Sequence, residues 1–107
     1  MMNIWALDKD VTIKHLLLLL EDALSKFSYQ IINSEHIDNK AIRLSSPDDT
    51  TTTVYIYTYG QVQDKYGVHL EYTDVLNQYL DNSVEVYDNM SFENLVELLK
   101  LQFIPNA

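Results

Sequence analysis

Apolar residues recur at helical spacing near the start of the chain and predict a helix over residues 11–27. They form one stripe: Ile13, Leu16, Leu17, Leu20, Leu24 and Phe27. Asp10 or Thr12 is the expected N-cap, because an oxygen on either side chain can accept a hydrogen bond from a free backbone amide. Leu18 and Leu19 widen the stripe, so we expect this helix to be covered on more than one side, by a sheet and by either a second helix or a partner chain.

The middle of the chain alternates between apolar and polar residues with a period of two, which is typical of strands. The pattern predicts four to five short strands: Tyr29–Asn33, Ala41–Leu44, Thr52–Tyr59, Tyr66–Tyr72 and Ser83–Tyr87. In the last of these, Val84 and Val86 are expected to face the core, whereas residues 74–82 are compatible with one or two helical turns. A sheet with one buried and one solvated face favours antiparallel pairing.

A second helix is predicted over Phe92–Phe103, with Ser91 as its N-cap. Met90 can pack on Leu95 across that cap. The order of elements and the short connections predict an α+β fold in a single domain. We expect an antiparallel meander of four to five strands, flanked by an N-terminal and a C-terminal helix that pack on one face.

The net charge of the chain indicates which classes of partner it can bind. The 107 residues carry a formal net charge of −9 and include no cysteine, which excludes disulfides and thiolate metal sites. Because such a chain repels phosphate backbones and anionic membranes, we expect no nucleic-acid and no membrane partner, and a basic protein instead. The leucine run resembles a signal-peptide core, but its flanks are acidic where a signal peptide has a cationic start. It is also too short to span a membrane, so the cytoplasm is the expected location.

Candidate chemistry is sparse. His15, His36 and His69 lack the spacing of a metal-binding pair, and two glycines are too few for a phosphate-binding loop. We therefore predict no catalytic residues, no cofactor and no metal site. One alternative is a small enzyme that uses His69 and Glu71, which lie on the same strand face about 7 Å apart.

Tyrosines mark the sheet as a candidate interface. Tyr55, Tyr57 and Tyr59 share one face of the third strand, and tyrosine is enriched at protein interfaces. These rings can equally lie under a helix, because Val54 and Ile56 on the other face compete for the inward position.

Acidic residues concentrate towards the end of the chain. Residues 1–70 hold nine acidic and six basic residues, whereas residues 71–107 hold seven acidic residues and one basic residue, Lys100. Acidic side chains interleaved with tyrosines suit a basic protein surface, although a solvated acidic face fits the same pattern. The predicted partner-binding residues are Glu71, Tyr72, Asp74, Tyr79, Asp81, Glu85, Tyr87 and Asp88.

The stretches Tyr66–Tyr72 and Met90–Leu99 resemble small bacterial immunity proteins of polymorphic and contact-dependent growth inhibition toxin systems. The resemblance implies a non-catalytic cytoplasmic inhibitor that binds and neutralises a cognate toxin domain. We expect the chain itself to be a monomer or a weak homodimer. Such toxins are often basic nucleases, which an acidic inhibitor can cover at the active site or at an exosite. The alternative is a structural or regulatory adaptor, or a subunit that self-associates through Leu18 and Leu19.

Overall fold

The computed structural model describes residues 4–24, 28–32, 37–49, 51–72 and 83–104, except for the side chains of Trp5, Ser83 and Val84. A short 3-10 helix, Ile4–Ala6, precedes helix α1, Val11–Ala23. Five strands follow and helix α2 comes last: β1 (Gln30–Ile32), β2 (Ala41–Ser45), β3 (Thr52–Tyr57), β4 (Tyr66–Tyr72), β5 (Ser83–Met90) and α2 (Phe92–Phe103). The predicted bounds of β4 and α2 are confirmed.

The five strands form one sheet in the order β1-β2-β3-β4-β5, and every neighbouring pair is antiparallel. The predicted α+β meander with two flanking helices is therefore confirmed. Sequential strands pair directly because short connections favour hairpins over crossovers. This order places β1, with three residues, and β5, with eight, at the two edges of the sheet.

Both helices pack on the same face of the sheet, which we call the covered face. Its central side chains come from alternate strand positions: Ile42, Leu44, Val54, Ile56, Val68 and Leu70. Opposite them lie Ile13, Leu16, Leu17 and Leu20 of α1 and Leu95 and Leu99 of α2. Each of these side chains is at most 2% exposed, so they form one continuous apolar core.

Helix α1 begins as predicted and ends early. Asp10 is the N-cap, and its Oδ2 accepts from the backbone N–H of Thr12 at 3.0 Å and from the Thr12 hydroxyl at 2.6 Å. The prediction that the helix continues to Phe27 was wrong, because Leu24 already has extended backbone angles. Leu24 still buries its side chain in the core, so the apolar stripe continues past the end of the helix.

Helix α2 follows β5 directly and is held at both ends by features of its sequence. The Ser91 hydroxyl accepts from the backbone N–H of Asn94 at 3.2 Å, which satisfies a free amide of the first turn. Lys100 lies in the last turn, where a cation complements the helix dipole. Met90 packs against the core that contains Leu95, as expected for a residue just before the cap.

Candidate protein-binding surface

The face of the sheet opposite the helices carries the tyrosine row, and we call it the open face. Three adjacent strands contribute its residues: Ala41, Arg43 and Ser45 of β2, Thr53, Tyr55 and Tyr57 of β3, and Gly67, His69 and Glu71 of β4. Tyr59 follows β3 and stacks on this surface. The alternative that the tyrosines lie under a helix was wrong, because both helices pack against Val54 and Ile56 on the other side.

Tyr57 lies flat over a glycine. It pairs directly with Gly67 on β4, and a Cβ atom at Gly67 would overlap the ring of Tyr57. The absence of a side chain at Gly67 therefore makes the space that the ring fills. Tyr57 is only 6% exposed as a result, although it stands on the open face.

The three tyrosine rings contact one another. Tyr57 and Tyr59 stack with their ring centroids 4.5 Å apart, and the centroids of Tyr55 and Tyr57 are 5.7 Å apart. The hydroxyls of Tyr55 and Tyr59 lie 3.1 Å apart and share a hydrogen bond. Tyr59 is 40% exposed and so presents the accessible part of this tyrosine cluster.

His69 and Asp88 join the cluster through the Tyr57 hydroxyl. That hydroxyl lies 3.2 Å from Nε2 of His69 and 3.5 Å from Oδ1 of Asp88. An ionised carboxylate can only accept, so when Tyr57 donates to Asp88 its oxygen accepts from the Nε2–H of His69. The His69 ring also meets Tyr57 edge-on, with centroids 5.1 Å apart.

Arg43 occupies the other side of the cluster. Its Nε lies 3.1 Å from Oε1 of Glu71, and its guanidinium carbon is 5.2 Å from the centroid of the Tyr55 ring. The guanidinium is thus held by one carboxylate and one aromatic ring together. Both side chains of this ion pair remain partly exposed.

Two phenols of the cluster have shifted acidities. Burial raises the pKa of Tyr55 above its ordinary value, and the hydrogen bond to Tyr59 raises it further. Burial also raises the pKa of Tyr57, and the negative charge of Asp88 adds to this effect. Both hydroxyls therefore stay protonated at neutral pH and serve as neutral hydrogen-bonding groups.

A second acidic group lies on the other side of β5. Glu85 pairs with Leu70 and Tyr87 pairs with Val68, so both side chains point to the covered side but lie at its exposed rim. The Tyr87 hydroxyl donates to Oε2 of Glu85 at 3.3 Å, and the Glu85 charge is the main cause that raises the pKa of Tyr87. Burial raises the pKa of Tyr72, and the nearby negative charge of Glu85 raises it further. We call Tyr72, Glu85 and Tyr87 the edge cluster.

The predicted partner-binding residues are therefore divided between two sides of the sheet. Glu71 and Asp88 reach the open face, whereas the three residues of the edge cluster lie on the covered side. All five lie in β5 or at the end of β4. The other three predicted residues, Asp74, Tyr79 and Asp81, lie outside the described residues, as do the helical turns considered for residues 74–82.

A β-bulge sets which residues of β5 face which side of the sheet, and it corrects one prediction. Val86 was predicted to face the core, but it pairs with His69 on the open face and is 55% exposed. Between the pairs Tyr66–Met90 and Val68–Tyr87, β5 contains one extra residue. Counting back from Met90 in a regular strand puts Val86 inward, and the extra residue turns it to the open face.

The bulge is held by two hydrogen bonds to the loop between β3 and β4. Asn89 has a positive φ of 53°, a conformation that asparagine tolerates better than most residues. Its Oδ1 accepts from the backbone N–H of Val62 at 2.7 Å, and its own N–H donates to Oε1 of Gln61 at 2.6 Å. This reciprocal pair of bonds fixes where along β5 the bulge lies. Asn89 was the signal in the sequence that could have revealed it.

The enzyme alternative relies on His69 and Glu71. In this structure the His69 ring is hydrogen-bonded to the Tyr57 hydroxyl, and the Glu71 carboxylate accepts from Arg43. A groove of about 230 Å³ lies elsewhere, lined by Lys40, Lys65 and neighbouring residues, and neither His69 nor Glu71 borders it. Within the part of the chain that the structure describes, no group of His, Asp and Glu side chains could hold a metal ion.

Comparisons with protein families, with curated proteins and with solved structures found no match for this chain. Its function is therefore inferred from its own residues. Neither of the two α-helices within the described ranges has the length and apolar character to cross a membrane.

Proposed function

We propose that this chain is a non-catalytic immunity protein that binds and neutralises a cognate toxin domain with a basic surface, such as a nuclease. One observation carries the proposal. Around β5, outside the cover of the two helices, exposed carboxylates lie beside tyrosine rings on both sides of the sheet. The resemblance of Tyr66–Tyr72 and Met90–Leu99 to immunity proteins supports the choice of a toxin as partner.

Charge and aromatic area have separate roles in this proposal. The net charge of −9 accelerates the encounter with a basic protein and repels acidic competitors. Tyrosine rings then add contact area while few rotatable bonds are fixed, which slows release. Tyr59 and Tyr87, at 40% and 38% exposed, offer such area on the open face and in the edge cluster.

The direct test is protection. A gene immediately upstream that encodes a large secreted protein with a variable carboxy-terminal domain would supply the candidate toxin. Expression of that domain alone should arrest growth, and co-expression with this chain should restore it, with the two proteins purifying as a complex. If growth stays arrested and no complex forms, the proposal is wrong.

Paired charge reversals test the surface. Glu85→Lys with Asp88→Lys should slow association with the toxin domain by about tenfold or more and weaken its salt dependence. Asp22→Lys with Glu97→Lys is the matched control, because both positions are exposed on helices and the total charge changes equally. An equal effect of the two pairs would show that overall charge, and not the surface around β5, determines binding.

A further inference from the structure

We propose that Asp88 and the exposed ring of Tyr59, which stacks on Tyr57, bind an arginine side chain of the basic partner. This inference rests on the proposed function, since it names the group by which that partner is held. The same geometry also predicts binding of isolated arginine-containing peptides, which can be measured without the toxin.

The open face already holds one guanidinium in this manner. Arg43 is placed against the Tyr55 ring, 5.2 Å from its centroid, while Glu71 accepts from its Nε at 3.1 Å. The flat side of one guanidinium thus lies against a ring, while its N–H edge donates to a carboxylate on the adjacent strand. The arrangement is an internal example of the chemistry that an incoming arginine needs.

A carboxylate and tyrosine rings also meet nearer to the edge of the sheet, where the carboxylate is on β5 and the rings are at the end of β3. Asp88 lies 3.5 Å from the Tyr57 hydroxyl, and the Tyr57 ring stacks on Tyr59. A cation bound to Asp88 therefore lies at the rim of the aromatic stack. Asp88 is exposed, and no lysine or arginine within the described ranges forms an ion pair with it.

The geometry favours arginine over lysine. A planar guanidinium can lie against a ring and donate two hydrogen bonds to one carboxylate, whereas an ammonium is a strongly hydrated point charge. Citrulline has nearly the same shape as arginine but no charge, so it separates shape from electrostatic attraction.

The test uses three capped tetrapeptides, of arginine, lysine and citrulline, titrated into the full chain and followed by NMR. We expect the arginine peptide to shift the amide signals of Tyr59 and Asp88 and to bind about threefold more tightly than the lysine peptide, while the citrulline peptide does not bind. Shifts spread evenly over all acidic residues, or equal affinity for arginine and lysine, would overturn the inference.

Two conservative variants locate the site. Asp88→Asn should lower the affinity for the arginine peptide by about threefold or more, whereas the matched control Glu97→Gln on α2 should leave this affinity unchanged. Tyr59→Leu keeps the carboxylate and removes the exposed ring, so it should abolish the preference for arginine over lysine. Both variants change exposed side chains, and a native amide spectrum confirms that each is folded. Equal losses in Asp88→Asn and Glu97→Gln would overturn the inference.

The two proposals fail separately. If the Asp88→Asn and Tyr59→Leu variants both still bind and neutralise a toxin with full affinity, the arginine site is overturned and the proposed function stands. Arginine peptide bound at Asp88 in a chain that protects against no toxin would support the site and count against the proposed function.

Discussion

Adjacent residues on β3 show how differently the two faces of the sheet exclude water. Ile56 and Tyr57 are 0% and 6% exposed and point in opposite directions. Ile56 is covered by the helices, whereas Tyr57 is covered by Tyr59 and rests on the backbone of Gly67. A residue that is nearly inaccessible to solvent is therefore not always part of the main core.

The two faces therefore differ in which side chains stay accessible. The centre of the covered face is closed by two helices, whereas its rim at β5 remains exposed. On the open face the tyrosine rings cover one another, so that Tyr57 is shielded from solvent while Tyr59 and Asp88 remain accessible. Variants on the two faces should differ accordingly in their effect on folding.

The largest expected effect is on the covered face. Ile56→Ala removes a fully buried side chain and should lower the free energy of unfolding by about 2–5 kcal/mol. Tyr59→Ala on the open face removes a larger side chain but leaves its site open to solvent, so it should cost about 1 kcal/mol or less. Urea denaturation of both variants measures the contrast. Equal losses would contradict the distinction between the faces.

The next effect concerns the contact between Gly67 and Tyr57. Alanine in a strand is ordinarily better than glycine by roughly 0.5–1 kcal/mol, so Gly67→Ala would stabilise an unobstructed site. Because the new Cβ would overlap the Tyr57 ring, we expect a loss of about 1–3 kcal/mol instead.

The double variant Gly67→Ala with Tyr57→Leu provides the control for this contact. Leucine does not extend over position 67 as the flat ring does, so the two changes together should cost less than the sum of their separate costs. Thermal unfolding of the four proteins measures the coupling. A Gly67→Ala protein that is more stable than the native chain would show that the ring does not depend on the missing side chain.

A smaller effect is expected for the ion pair on the open face. A double-variant cycle with Arg43→Gln and Glu71→Gln should give a coupling of about 0.5–1 kcal/mol, because both side chains are partly exposed. Higher salt should reduce this coupling, whereas the cost of Ile56→Ala should barely change. Coupling that is insensitive to salt would contradict an electrostatic origin.

The last effect is a pH dependence that appears only in alkaline solution. Because burial raises the pKa of Tyr55 in the folded chain above the ordinary value of 10.0, the unfolded chain ionises first. The stabilisation is therefore complete below about pH 10 and is lost as the pH rises through the folded pKa. Tyr55→Phe should make the fall in stability above pH 10 less steep, as measured by urea denaturation at several pH values. An unchanged slope would contradict the burial of this phenol.

The sequence predicts those parts of the fold that depend on local patterns. The alternation in Tyr66–Tyr72 and the cap at Ser91 give the bounds of β4 and α2 directly. The end of α1 was missed because an extended Leu24 reaches the same core that a helical one would reach.

The candidate site is less accessible to prediction, because it depends on which residues face each other across strands. Nothing local in the sequence places Gly67 beneath Tyr57 or Asp88 at the Tyr57 hydroxyl. Reversal of the faces in β5 likewise follows from one inserted residue, whose only mark in the sequence is Asn89.

The two bonds between Asn89 and the loop at Gln61 and Val62 give that loop an influence on which side chains this edge of the sheet exposes. If a change in the loop moved the bulge along β5, the side chains between its old and new positions would turn to the opposite side of the sheet. The composition of each face at this edge could thus change without the replacement of any residue in β5.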